Sequence, residues 1–230
     1  MKRRMFLKRA VALGIGLFVF VRGRKVMAKG LPSDPGTTSG ASPTPDVIPL
    51  PPFEKDNPFT LDQALLGRKT SRSYDPDRPL SREEISRLLW ATTGVNRPDG
   101  KRTSPSAVAK YPVDVLAALP GGVYRYEPKE HKLTRMVSDD IREKIPNQDV
   151  FKKAAMTVLY VINKETVPRG RIDFADLEIG CMGQNLFLEA VALGMGSCIY
   201  AGVRYEDVTK ALGLKENQIL RIAQAVGATK

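Results

Sequence analysis

Residues 67–75 read Gly-Arg-Lys-Thr-Ser-Arg-Ser-Tyr-Asp, three cations (Arg68, Lys69, Arg72) interleaved with three hydroxyls (Thr70, Ser71, Ser73). Guanidinium groups grip phosphate oxygens in pairs and hydroxyls add neutral donors, so the cluster suits a phosphomonoester. A solvated basic turn pairing with Asp75 and Asp77 is the competing reading, and these nine residues do not separate the two. Two nucleotide cradles fail on spacing. A Walker A loop needs Gly-Lys-Ser/Thr preceded by a glycine in register; here Arg68 follows Gly67 and the earlier glycine is missing. A dinucleotide fingerprint over Gly194, Gly196 and Gly202 has its third glycine three places late and a helix before it.

The net charge of +11 does not extend this cluster into a nucleic-acid surface. Residues 1–28 hold eight Lys/Arg and no Asp or Glu, which leaves +3 for the remaining chain. That charge is ordinary for a globular domain and supplies no duplex-binding footprint. The single histidine, His131, reads as a surface-loop residue, so zinc sites and histidine-based triads lack their usual material. No metal site and no nucleophile–base pair are expected. Cys181 and Cys198 lie near opposite ends of a predicted helix, roughly 20 Å apart and beyond disulfide reach. Both read as buried small apolar residues.

The basic front end has its own logic. Cations precede a twelve-residue apolar run, Ala10–Val21, and Val26-Met27-Ala28 offers a cleavage point. The run is short of the ~20 residues that span a bilayer. Arg3-Arg4 followed by Met5-Phe6-Leu7-Lys8 resembles the twin-arginine signal, which implies folded export to the periplasm by the twin-arginine machinery. A retained anchor is the alternative, and this segment is the only expected membrane contact. Residues 29–58 contain eight of the seventeen prolines and read as a disordered linker. Residues 59–230 are expected to form one domain.

The elements that must position the cluster follow from capping and periodicity. Thr60 with Gln63 and Ser81 with Glu84 are capping-box spacings, starting a short helix that stops at Gly67 and a second that ends at Gly94. Strands are predicted at 113–119, 123–126, 132–137, 155–163 and 219–228, with a further return toward the sheet at 194–203. Residues 139–153 read as a helix interrupted by Pro146. A long helix over about 174–193 carries Leu177, Cys181, Gln184, Leu188 and Val191 along one stripe, with further apolar residues beside it. A helix apolar on more than one face needs more than one partner surface, which suggests a subunit interface. Helices and strands mix without strict alternation, so the expected class is α+β, a layered sheet with flanking helices.

Five stretches occur in order: 68–74, 79–96, 102–119, 122–133 and 176–203. Together they resemble the nitroreductase family of FMN-dependent oxidoreductases, most closely its SagB-type dehydrogenase branch. The resemblance implies a homodimer with FMN at the subunit interface, and ping-pong transfer of two electrons through flavin N5 to or from a small organic substrate such as a nitroaromatic or quinone. It places Arg68, Lys69 and Thr70 at the FMN phosphate and Arg72 toward the pyrimidine edge of the ring. Lys69 and Thr70 stand where the family more often has Arg and Ser. Pro105, Ser106, Ala107, Ala109 and Tyr111 would form the stretch that the partner subunit lays against the flavin; a plain helix start is the alternative for them. Ile199, Tyr200, Ala201 and Gly202 resemble the turn that covers the ring, with Ala201 where many members carry an acid. Gln148, beside Asn147, would place an amide on the flavin edge, and Lys230 would add a phosphate cation. NAD(P)H is the donor of cytoplasmic members and is not expected in the periplasm. A non-catalytic flavin-binding or interaction protein that keeps the fold is the alternative function.

Overall fold

A computed structural model of the chain describes residues 46–53 and 58–230. The expected export signal at 1–28 and most of the expected linker lie outside those residues. Strand β1 (Val47–Pro49) comes first, then helices α1 (Leu61–Gly67) and α2 (Arg82–Thr93). Strands β2 (Val113–Leu119), β3 (Gly122–Glu127), β4 (Lys132–Val137) and β5 (Met156–Asn163) follow. Helix α3 (Ile172–Ala192), β6 (Met195–Tyr200), α4 (Tyr205–Leu212) and β7 (Gln218–Ala228) complete the chain. The strands form one antiparallel sheet in the order β1-β4-β3-β2-β5-β7-β6. Helices flank it, and the α+β class expected from the sequence is the class found.

Local chemistry explains most boundaries. Both capping boxes are present: Thr60 and Ser81 accept from the N3 amides, and Gln63 and Glu84 reach back to the cap amides. Val, Leu, Ile, Tyr and Met in β5 are buried on both faces because apolar clusters pack on each side of the sheet. One cluster is roofed by α2 and α3, the other by the 141–151 segment and α4.

Four expectations change. Residues 46–53, expected to belong to the linker, add β1 to the edge of β4 and are tied down there. Leu50 donates its amide to His131, and Arg82 donates to the Pro49 carbonyl. His131 is no free surface residue: its ring bonds Ser86 Oγ at 2.7 Å and Tyr126 OH at 2.8 Å, while Ser86 donates to the Pro51 carbonyl. Residues 139–153 form two 3-10 turns, Arg142–Lys144 and Asp149–Phe151, rather than a helix. Pro146 cannot donate an amide and crowds the preceding turn. Arg142 instead donates to the Ala154 and Ala155 carbonyls and pins the segment. On α3 the buried stripe is Ala175, Ile179, Met182, Leu186 and Ala190, so the stripe of Leu177, Cys181 and Gln184 faces outward. Leu177 is 68 % exposed. Both cysteines are free; Cys198 is buried and Cys181 only partly so.

Candidate functional site

The 67–75 loop is laid along the free edge of β6. Thr70 bridges Ser197 in parallel, the Ser71 amide donates to the Ser197 carbonyl at 2.9 Å, and the Asp75 amide donates to Ala228 at 2.9 Å. Gly196 makes this approach possible, because a side-chain carbon there would stand 2.5 Å from Ser71 Cβ and also collide with Thr229. Tyr74, almost fully buried, donates its hydroxyl to the Ser71 carbonyl at 2.8 Å. Burial, then Cys198 and Tyr200, hold that phenol protonated well above its ordinary range, against the pull of Arg72.

This scaffold leaves its cations outward. Lys69, Thr70 and Arg72 are exposed and Arg68 is half-buried, its guanidinium 5.6 Å from the Phe187 ring centroid on α3. Among the described residues none of the ion pairs includes Arg68, Lys69 or Arg72. Asp75, the expected partner of a solvated basic turn, instead accepts the Asp77 amide. Lys230 follows β7 at the same corner, one residue beyond the Thr229 that packs on Gly196. The donor set is therefore two guanidiniums, two ammoniums and a hydroxyl, with no ion-paired carboxylate on Arg68, Lys69 or Arg72 among the described residues, which fits a phosphomonoester.

A second group continues along β6. Ile199, Ala201 and Gly202 follow Ser197 directly, and the Gly202 carbonyl accepts the Asn147 amide at 2.7 Å. The Gln148 amide nitrogen stands against Gly202. Phe151 stacks on Tyr200 with ring centroids 4.1 Å apart, and this fixes the turn that carries Asn147 and Gln148.

Pro105, Ser106, Ala107, Ala109 and Tyr111 lie elsewhere. Pro112, just after them, accepts the Asn163 amide, and Asn163 pairs with Gln218 at the start of β7. Ala228, which receives the basic loop, is at the other end of the same strand; at ~3.3 Å per residue the two ends are roughly 30 Å apart. The expected helix start at 105–111 is a single 3-10 turn with Val108, Ala109 and Tyr111 at φ of 46°, 54° and 48°. Each such non-glycine conformation costs on the order of 1 kcal/mol. Ser106 Oγ accepts the Tyr111 amide at 2.8 Å, and Arg102 stacks 4.3 Å from the Tyr111 ring centroid.

Beneath that turn the sequence reading missed a carboxyl. Glu178 on α3 is 2 % exposed, and neither carboxyl oxygen has a well-formed hydrogen bond. Burial pushes it up to about 7, with the Ser106 hydroxyl and then Arg102 pulling the other way. The signal was available: Glu178 shares the helical stripe of Ala175 and Met182, where an acid is out of place.

Residues 65–228 match the model of the nitroreductase family. A crystal structure described as a nitroreductase from Ralstonia eutropha is 31 % identical, with a TM-score of 0.74 over 87 % of this chain and 99 % of that one. A nitroreductase-type protein of Methanocaldococcus jannaschii is 27 % identical over 187 residues, covering 75 % of this chain and 92 % of the relative. A nitroreductase from Desulfovibrio desulfuricans, solved in complex with FMN, is 20 % identical with a TM-score of 0.55, covering 76 % of this chain and 88 % of that one. The chain belongs to the nitroreductase family of oxidoreductases.

Proposed function

We propose that the chain is an FMN-dependent oxidoreductase of the SagB-type branch that acts as a homodimer after twin-arginine export. The observation that carries the flavin reading is the row of cations Arg68, Lys69 and Arg72, in none of the ion pairs among the described residues, held on the β6 edge beside Lys230. Bound FMN supplies two-electron chemistry at N5, exchanged in turn with a donor and an acceptor in a ping-pong cycle.

Arg68, Lys69, Thr70 and Lys230 hold the phosphate. Arg72 stabilises the negative charge that reduction places on the pyrimidine edge. The backbone at Ile199, Ala201 and Gly202, with the Gln148 amide, orients the ring and excludes water from one face. Pro105–Tyr111 comes from the second copy, because within one chain the Pro112 that follows it lies at the end of β7 opposite the Ala228 that receives the basic loop, while Pro105 opens on the outer groove of α3. The apolar outer stripe of α3 is a surface for that copy: Leu177, Cys181 and Gln184 line an open groove with Pro105 and Asp173.

Ala201 leaves the substrate side without the acid found in many relatives, which suits an acceptor needing no protein carboxylate, such as a quinone or nitroaromatic. In the periplasm a quinol or redox protein is the fitting donor, in place of NAD(P)H. The test is direct. Purified protein is expected to be yellow, to bleach anaerobically with a donor and to recover with a quinone or nitroaromatic. Colourless protein that FMN cannot reconstitute would refute the proposal. Protein that stays yellow but inert would indicate a flavin-binding module.

A further inference from the structure

We infer that Gln224 on β7 is a positioning residue that acts through the Ser197 hydroxyl. It fixes the stretch of β6 that carries the basic loop and so sets the grip on a flavin's phosphate. The ligand rests on the flavin reading above; the hold on the loop rests on the hydrogen bonds alone.

The Gln224 side chain is fully buried, at 0 % exposure, on the face of β7 that it shares with Ile222 and Val226 beneath α3. An apolar residue would be the ordinary choice there. Instead both ends of the amide are engaged. Nε2 donates to the Gly183 carbonyl of α3 at 3.1 Å and to Ser197 Oγ at 3.0 Å, while Oε1 accepts the Tyr160 hydroxyl of β5 at 2.7 Å. The Gly183 carbonyl can only accept, which fixes the orientation of the amide. Ser197 is left with one arrangement: its oxygen accepts from Gln224 and its proton goes to the Ala225 carbonyl at 2.9 Å. Gly183 belongs to the same joint. A side-chain carbon there would stand 2.5 Å from Ile199 Cδ1 and 3.2 Å from Gln224 Oε1, so α3 comes this close only with glycine.

β6 is an edge strand, held to the sheet through β7. On its outer side the Ser197 carbonyl accepts the Ser71 amide, and Thr70 bridges the same residue. Ser197 is therefore gripped from inside by Gln224 and carries the basic loop outside. Ile199, directly across from Gln224 in the ladder, leads into the turn at 201–202. A satisfied buried network of this kind specifies a single arrangement where an apolar core would permit several. Its Tyr160 branch runs the other way, to β5 beyond β7.

Riboflavin, which lacks the phosphate, separates this role from general support of the fold. The quantity read is the ratio of dissociation constants, riboflavin over FMN, measured by flavin fluorescence on full-length, flavin-free protein. Any weakening of contacts to the ring cancels in this ratio. Ser197→Ala removes the branch to β6, and Gln224→Met removes the amide at similar volume. Each should lower the ratio about tenfold, the scale of one lost hydrogen bond. Tyr160→Phe removes the shortest bond of the network but leaves the β6 branch, so its ratio should stay within about twofold of the unmodified chain. Equal losses in all three variants, or an unchanged ratio in Ser197→Ala, would overturn the assignment.

Hydrogen exchange of the Ser71 amide in the same flavin-free proteins reads the hold on the loop directly. Its protection should fall about tenfold in Ser197→Ala and Gln224→Met, while the Arg68 amide, bonded to the Ala64 carbonyl at the end of α1, keeps its own. Equal loss at both amides would mean a general loosening and would also overturn the assignment. Ser197→Ala alone decides the matter if Gln224→Met does not fold. FMN that binds none of these proteins, the unmodified chain included, would sink the flavin reading, while the Ser71 exchange still decides the role of Gln224.

Discussion

The 67–75 loop and the 105–111 turn belong to the same proposed site, yet they are built in opposite ways. The basic loop has no residue at positive φ and is fastened to a strand edge by backbone hydrogen bonds, with Gly196 allowing close approach. Lys69 and Arg72 are exposed, and none of the loop's cations is in an ion pair among the described residues. The 105–111 turn is strained at three residues and fastened by both backbone and side-chain bonds, with the buried acid Glu178 on α3. Affinity can be written on a rigid edge by exposed donors. Shape at a flat ring, in contrast, requires small residues brought close and a support hidden behind them. The contrast teaches that the phosphate end should respond to charge removal and the ring end to packing and pH.

The largest expected effect lies at the ring end. Glu178 has its carboxyl raised from 4.5 to about 7 in the folded chain, so its contribution to stability is full below about 4.5 and lost as the pH rises through about 7. Chemical denaturation across that window should show a decline on the order of 3 kcal/mol that Glu178→Gln removes. An unchanged slope in the variant would break the contrast between the two loops. Next comes Arg68→Ala, expected to weaken FMN by about 1.5–3 kcal/mol, the scale of a hydrogen bond to a charged group, with little pH dependence. Equilibrium dialysis at two ionic strengths would check both statements.

Arg72→Ala should be distinguished by potential rather than affinity. Removing a cation from the pyrimidine edge is expected to lower the flavin midpoint by roughly 30 mV, equivalent to about 1.4 kcal/mol for a two-electron couple. Spectroelectrochemical titration reads it, and an unshifted potential would return Arg72 to being a surface cation. The smallest effect is Val108→Gly, which relieves a β-branched residue at φ 46° and should raise the melting free energy by roughly 0.5–1 kcal/mol. Calorimetry showing destabilisation would mean that the turn is not strained.

Much of this was legible in the sequence because the informative features are local. Capping boxes at Thr60 and Ser81, the apolar run of β5 and the cation spacing at 68–72 each declare themselves within ten residues. What was hidden depends on distant partners. Val47–Pro49 reads as linker because its proline content outweighs local preference, yet β4 and the clamp of His131, Ser86 and Tyr126 supply the missing bonds. The inward face of α3 was ambiguous since apolar and small residues surround the helix; only the packing of Met182 and Leu186 against the sheet selects it. Ser197 and Gln224 form a buried network with Tyr160 and the Gly183 carbonyl that ties α3 to three strands, and no pattern in their own neighbourhoods announces it.

The central claim is that one flavin site takes its basic loop from one chain and its 105–111 turn from another. Arg68→Ala with Lys69→Ala disables the first, and a bulky Ala107→Trp blocks the second; each variant alone should hold no FMN. Unfolded and refolded together in equal amounts, the two should form mixed dimers in which one site is wholly unmodified and the other doubly altered. With random pairing in a two-fold dimer, FMN should return to about one quarter of the sites. A mixture that stays colourless while dimers form would place both segments within a single chain and contradict the account.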